Sequence, residues 1–386
     1  MRILIAPDKF KGALNARDAA QNIAKGLLDV LPDAQIEVVP MADGGEGTAE
    51  AVCDAPDCYW LECKAHDPLG REIEARYGWI DHEKVAVIEM SEVAGMRRLS
   101  ETEREPLRAT TFGVGEMILD ATKHSANEII IGLGGSATND GGFGMARALG
   151  YRFLSNAKEL ARTVSDLQSL TKIEPPAVAG VSPANSTMQP PRLALQLNIT
   201  AAVDVKNPLL GENGATRVFG PQKGGSKSDL DNLERALTRL ADVVATEFGF
   251  DYRNEAGAGA AGGLGFGLLS FCGARIRPGF EVVAEAVGLE AKMKAADVVI
   301  TGEGSLDRQT LEGKTPAGVA RLARKLGKPV FAIVGRASED QQLREIFDGI
   351  YQNARSGMSE QENMKRAAEL LRENARELAE TFSVGL

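Results

Sequence analysis

Histidine is scarce in this chain of 386 residues. Only His66, His82 and His124 are present, and none lies in a glycine-rich loop. A Ser-His-Asp hydrolase or a two-histidine metal centre therefore has little support. Cysteine is almost as rare. Four copies are too few for a disulfide scaffold in a chain of this length, and a reduced cytoplasm is the expected compartment. Cys53, Cys58 and Cys63 are evenly spaced, but the pattern is not CxxC and no histidine interrupts it. Alternation between packing and exposure around a short strand explains the spacing better than a metal does. Long apolar runs are missing as well. No window approaches the ~18 apolar residues of a membrane span, and the apolar stretch in "MRILIAPDKF" is far shorter than a secretory core. No membrane partner is expected.

Positive charge is in deficit. Lys plus Arg number 44 against 54 Asp plus Glu, a formal net charge of −10. Nucleic-acid binding would need a basic face, so no nucleic-acid partner is expected. A local basic pocket for a small phosphorylated ligand is still allowed. Hydrophobic residues at 44% and charged residues at 25% describe an ordinary folded chain. At roughly 150 residues per domain, the length predicts two or three domains.

Three familiar nucleotide and nucleophile motifs are also absent or out of context. "GKT" occurs at Gly313-Lys314-Thr315, but Arg308 stands where a phosphate loop needs glycine. The string GxGxxG runs from Gly257 to Gly262, yet polar "DYRNEA" precedes it rather than a strand. "GLGGSATNDGG" is not the GxSxG elbow of a serine hydrolase.

What the chain has in excess is glycine: 42 copies, about 11% against roughly 7% in average usage. They are clustered, which points to special backbone angles near bound anions. Around them runs a βαβ texture. Residues 3–6 read as a buried strand. Asn15 reads as the N-cap of a helix ending near Leu31, and 36–39 read as a second strand. The same texture returns at "ADVVITGEG", at a helix over 316–326, at "KPVFAIVG", at "DGIYQN" and in a helix over about 360–381. Between them, "KVAVIEM", "NEIIIGLGG" and "NITAAVDV" read as strands and "YGWIDHEKVAV" as a hairpin. Residues 174–192 read as an exposed loop, and "GAGAAGGLGFGLLSFCG" as a buried helix. The fold class is therefore α/β. A doubly wound parallel-sheet domain, discontinuous over 1–50 and 290–386, holds a larger inserted α/β domain over 51–289, and the active site is expected in the cleft between them.

In such sheets ligands bind beyond the carboxyl ends of the strands, and the unusual residues fall there. They are Asp8 and Lys9, then Asp43, Gly44, Gly45 and Glu46. A third group is Gly302, Glu303, Gly304, Ser305 and Asp307. In the insert come Gly134, Gly135, Ser136, Ala137, Thr138, Asn139 and Asp140, followed by Asp204 and Asn207, and by Lys223. Glycines let backbone N–H groups converge on an anion. Carboxylates hold Mg²⁺ or take a proton from a hydroxyl, and lysines neutralise phosphate. Together they are the parts phosphoryl transfer requires.

The ordered motifs "APDKFKG", "MADGGEGT", "DPLGR", "IIIGLGGSATNDGG", "DVKNPLLG", "FGPQKGG", "GAGAAGGLG", "ITGEGSLDRQT" and "GKTPAGVA" resemble the type-1 glycerate kinase family over nearly the whole chain. The resemblance implies a flavodoxin-like domain interrupted by a larger mixed-sheet domain. It also implies ATP-dependent phosphorylation of D-glycerate with Mg²⁺, mostly to 2-phosphoglycerate and in some members to the 3-phospho product. On that reading Gly134, Gly135, Ser136, Thr138, Asn139, Gly302, Gly304, Lys223 and Lys314 bind the nucleotide. Asp43, Asp204, Asp307 and Lys9 carry the chemistry, with Asp43 and Asp204 as metal ligands. Which carboxylate is base and which binds metal stays open, and a homodimer is allowed. Residues 155–170 and Arg336 depart from the family pattern. The rivals are a non-catalytic sugar-acid binder and a nicotinamide-dependent hydroxy-acid dehydrogenase, the latter resting on GxGxxG.

Overall fold

The computed structural model describes residues 1–54, 57–160, 163–176, 197–355 and 357–384. Most of the expected 174–192 loop lies outside the described residues. The chain divides into two compact units, Met1–Ala55 with Pro278–Leu386, and Pro56–Arg277.

The first unit is built on five short strands. In spatial order they are Gly349–Gln352, Val330–Val334, Val298–Thr301, Arg2–Ile5 and Gln35–Val38. Every neighbouring pair is parallel. Numbered along this unit alone the order is 2-1-3-4-5, that of flavodoxin-like sheets. The three central strands are short apolar runs because both faces are covered, whereas the edge strands Gln35–Val38 and Gly349–Gln352 are only partly buried. Ile3, Ile5, Val298, Ile300 and Ile333 point into one core with Ala19, Ile23, Leu371 and Leu378. Leu4, Val299, Val330, Ala332 and Val334 point into the other with Val283, Val319 and Ala323.

Helix Ala16–Val30 starts where the sequence places it, with the Asn15 side chain accepting the Asp18 N–H. It packs against Ala367–Val384 closely enough that a side chain at Gly26 would meet the Arg372 carbonyl. The single C-terminal helix expected from about 360 is instead two, Glu360–Lys365 and Ala367–Val384. Arg366, at φ −97° and ψ 10°, breaks the run.

The second unit holds a six-stranded mixed sheet ordered Arg275–Pro278, Asn198–Val203, Glu128–Gly132, Val85–Glu89, Glu72–Ile80 and Cys58–His66. The three strands 198–203, 128–132 and 85–89 run parallel. The hairpin 72–80/85–89 and the outer pair 58–66/72–80 are antiparallel. Helix Lys227–Phe248 begins in a capping box of Ser226 and Asp229. The glycine-rich "GAGAAGGLGFG" run forms Ala260–Cys272, buried as expected but not regular. Ala261, Gly262 and Gly263 are all left-handed. Among the described residues no helix is long and apolar enough to cross a membrane.

Candidate functional site

In the first unit the topological switch point falls between strands Arg2–Ile5 and Val298–Thr301, where flavodoxin-like sheets bind ligands. The chain closes tightly there. The Asp8 N–H donates to the Gly302 carbonyl at 2.8 Å, and the Thr301 hydroxyl donates to the Ala6 carbonyl at 2.8 Å. A Cβ on Gly302 would lie 2.1 Å from the Ile333 carbonyl, so close strand packing by itself requires glycine here.

Asp8 is buried. One of its oxygens accepts the Lys9 N–H at 2.6 Å and the other the Thr315 hydroxyl at 2.7 Å. Thr315 opens helix Thr315–Lys325, with Lys314 as N-cap, so the carboxylate sits at the positive end of the helix. Burial, reinforced by the negative charge of Asp43, nonetheless raises the Asp8 pKa to about 7; Thr315 and Lys9 oppose the rise. Asp43 is half-buried, its Oδ1 accepting the Gly45 N–H at 3.2 Å. Gly279 packs so closely on the Asp43 carbonyl that no side chain fits there. The Lys9 ammonium donates to the Glu46 carbonyl.

Glu303 follows Gly302 and is also buried. It accepts the Thr310 hydroxyl at 2.7 Å, and burial is the main cause that lifts its pKa to about 7. The charges of Asp8 and Asp307 add to the rise, while Thr310 and Lys314 resist it. Thus Asp8, Lys9, Asp43, Glu303, Asp307 and Lys314 form one electrostatic neighbourhood at the carboxyl edge of this sheet. The site reading from sequence chose Asp43, Asp307, Lys9 and Lys314 and passed over Asp8 and Glu303. The signal for both was their place at a strand end. What it lacked was burial, which turns a strand-end acid into one that changes charge near neutrality.

In the second unit the loop after strand Glu128–Gly132 is held by its own side chains. Asp140, fully buried, accepts from the Thr111 N–H and hydroxyl and from the N–H groups of Gly142 and Gly144, at 2.9 to 3.1 Å. The Thr111 hydroxyl in turn accepts the Met145 N–H at 2.9 Å. The first N–H groups of helix Phe143–Ala148 are therefore engaged from within. The Ser136 and Thr138 hydroxyls lie 3.0 Å apart, and the Thr138 N–H donates to Ser136 Oγ at 3.1 Å. Thr138 and Asn139 are fully buried, and the Asn139 amide donates to the Thr216 hydroxyl at 2.9 Å.

Gly134 and Gly135 are the loop residues that reach the surface. Their N–H groups meet no acceptor among the described residues. The part of the motif open to the surface is thus narrower than the sequence suggests: two glycines backed by Ser136. Asp204 is exposed just beyond strand Asn198–Val203. Lys223 is buried, its ammonium donating to the Thr138 carbonyl at 2.6 Å. Replacing Asp140 by Asn would put an amide N–H₂ against backbone donors. The expected result is a loss of about 2–4 kcal/mol, read by urea unfolding; unchanged stability would show that the loop is held elsewhere.

The GxGxxG string is not a dinucleotide turn. Gly262 lets the Thr138 carbonyl approach to 2.0 Å of where a Cβ would stand, and its own carbonyl accepts the Gly141 N–H at 3.0 Å. The string packs one loop on another. Cys53 and Cys58 both take part in a disulfide, which the sequence reading did not anticipate. Cys63 and Cys272 are free thiols. No group of three or more His, Cys, Asp or Glu that could hold a metal occurs among the described residues.

Comparison with known proteins points to one family. A family model described as the glycerate kinase family matches residues 3–383. The chain is 40% identical over 380 residues to a glycerate kinase of Halalkalibacterium halodurans, covering 98% of this chain and 97% of that one. It is 39% identical over 389 residues to a glycerate 2-kinase of Escherichia coli K12, covering 100% and 99%. A solved structure from Salmonella typhimurium LT2, provisionally described as glycerate kinase 2, is similar with a TM-score of 0.84 at 39% identity, covering 100% and 99%.

Proposed function

The chain belongs to the glycerate kinase family and is an ATP-dependent kinase; on that premise we propose that it transfers the γ-phosphoryl group of ATP to the 2-hydroxyl of D-glycerate, with Mg²⁺, in the cytoplasm. The observation that carries this reading is the acid cluster at the switch point of the flavodoxin-like sheet, two of whose carboxyls titrate near neutrality.

The donor triphosphate and the glycerate carboxylate repel one another, so cations must offset them. Lys9 and Lys314 supply fixed positive charge. Asp8 and Asp43 fit Mg²⁺: the charge of Asp43 raises the cost of charge on buried Asp8, a cost that a cation relieves. Mg²⁺ is usually held by one or two carboxylates plus substrate phosphates, so a pair rather than a triad of acids suits it. Bound there, Mg²⁺ would screen the transferring phosphoryl group. Glu303, with a pKa near the working pH, is suited to take the hydroxyl proton, and Asp307 is the alternative. In the second unit Gly134 and Gly135 would donate backbone N–H groups to a phosphate, and Asp204 remains a candidate acid.

Incubation with ATP, Mg²⁺ and D-glycerate followed by phosphorus NMR tests activity and regiochemistry together. The 2-phosphoglycerate resonance is expected. A 3-phosphoglycerate resonance would correct the acceptor atom, and ATP loss without either product would overturn the reading. Asp204→Asn is expected to lower turnover at least ~100-fold, the scale of one electrostatic or acid–base contributor; full activity would remove Asp204 from the mechanism.

A further inference from the structure

A buried lysine without a carboxylate bound to it is unusual, because the ammonium loses its water and gains no ion pair in return. Lys223 is such a residue. It ends the short 3₁₀ turn Pro221–Lys223 and is 2% exposed, and among the described residues its ammonium donates to the Thr138 carbonyl at 2.6 Å and to no carboxylate. The next residue, Gly224, is left-handed at φ +90°, and a Cβ there would lie 2.5 Å from the Arg104 carbonyl, so the turn is fixed in place. Thr138 carries the constraint onward: its N–H donates to Ser136 Oγ, and Ser136 adjoins the two surface glycines. Beside Thr138, the Asn139 Oδ1 atom is buried with no hydrogen-bond partner. This second polar group of the same loop lacks full satisfaction.

We propose that Lys223 is a positioning residue: through the Thr138 carbonyl and Ser136 it sets the Gly134–Gly135 N–H groups for a phosphate of the nucleotide, without itself touching that phosphate. This rests on the reading of the glycine loop as a phosphate cradle. The sequence assigned Lys223 to direct charge neutralisation; its burial assigns it to the loop's geometry instead. A proton linkage accompanies that role. Burial brings the Lys223 pKa down to about 7, with the negative charge of Asp140 opposing the fall. Next to the turn, the Arg104 backbone meets Gly224, and Asp229 forms a capping box with Ser226 at the start of helix Lys227–Phe248. An anion on the loop favours the charged ammonium, so nucleotide binding above pH 7 draws a proton onto Lys223.

The test uses the full-length enzyme and ADP as probe. Titration calorimetry at pH 8 in two buffers of different ionisation enthalpy reads proton uptake, and steady-state assays from pH 6 to 9 read KM for ATP and kcat separately. K223M is expected to raise KM for ATP about tenfold, with a smaller change in kcat, and to abolish the part of the proton uptake that Lys223 carries. K223R keeps its charge at every pH, so it is expected to hold KM nearer the wild-type value and flatten its rise with pH. If K223M does not fold, K223R with its flattened profile decides the question. Wild-type KM and proton uptake in K223M or K223R would overturn the proposal. Gly135→Ala separates the two readings, because Gly135 is left-handed at φ +72° and faces the surface. Unchanged KM for ATP in Gly135→Ala defeats the phosphate-loop reading itself. A raised KM there with an unaffected K223M defeats the Lys223 proposal alone.

Discussion

Asp43→Asn is expected to lower kcat for glycerate phosphorylation at least ~100-fold while leaving the melting temperature within a degree or two of wild type. The substitution is nearly isosteric, and the amide oxygen can still accept the Gly45 N–H, the bond that shapes this loop. What disappears is one negative charge. That charge reaches Asp8 strongly enough to help raise its pKa, so the two carboxyls share one field. On the proposed reading, in which this site holds a divalent cation against two anionic substrates, removing a carboxylate weakens cation binding and transition-state stabilisation together. The apparent Mg²⁺ requirement should therefore rise alongside the fall in kcat. Kinetics at saturating ATP over a Mg²⁺ series, with calorimetric melting as the control for folding, check both parts. Wild-type turnover in Asp43→Asn would take this loop out of the mechanism.

Asp8→Asn is expected to do something less usual: abolish most activity yet stabilise the metal-free protein at alkaline pH. The direction follows from linkage. The unfolded chain releases the Asp8 proton near pH 4, whereas the native state holds it up to about pH 7. Across that window the native state binds more protons, so stability declines as pH rises from about 4 to about 7. Each unit of separation is worth about 1.4 kcal/mol. Asparagine cannot ionise and can still bond to the Thr315 hydroxyl and the Lys9 N–H. The variant should therefore show a flatter pH dependence and gain roughly 1–3 kcal/mol over wild type at pH 8. Glu303, raised for the same reason, keeps its share of the slope. Urea unfolding with chelator present at pH 5 and pH 8 reads the effect, and kcat reads the loss. A variant less stable than wild type at pH 8 would show that the native Asp8 carboxylate is favoured by its surroundings, contrary to its burial.

These two residues show where the sequence stops. Asp43 stands out in a linear reading because it precedes Gly44-Gly45 after a strand. Asp8 occupies an equivalent place, but its decisive partners are Thr315, 307 residues away, and Asp43. The Thr315 contact joins the end of the first strand to the start of a helix near the other end of the chain. "GKT" looked like a failed phosphate loop because the pattern tests local spacing, whereas the threonine serves a distant carboxylate. Lys223 shows the same limit from the other side: a lysine in a glycine-rich turn suggests charge offered to a nucleotide, and only the packed turn shows that it is buried.

The sequence by itself determined the α/β class, most strands of both sheets, the Asn15 helix cap and the glycine-rich bends. Those depend on apolar periodicity, capping chemistry and left-handed backbone, all of which act over a few residues. Tertiary structure alone decided which acids are buried deeply enough to change charge near pH 7. It also decided which N–H groups of the glycine loop are spent on Asp140 and Thr111, and that Lys223 faces inward. Desolvation and hydrogen-bond satisfaction depend on everything packed around a group, and those neighbours come from segments far apart along the chain.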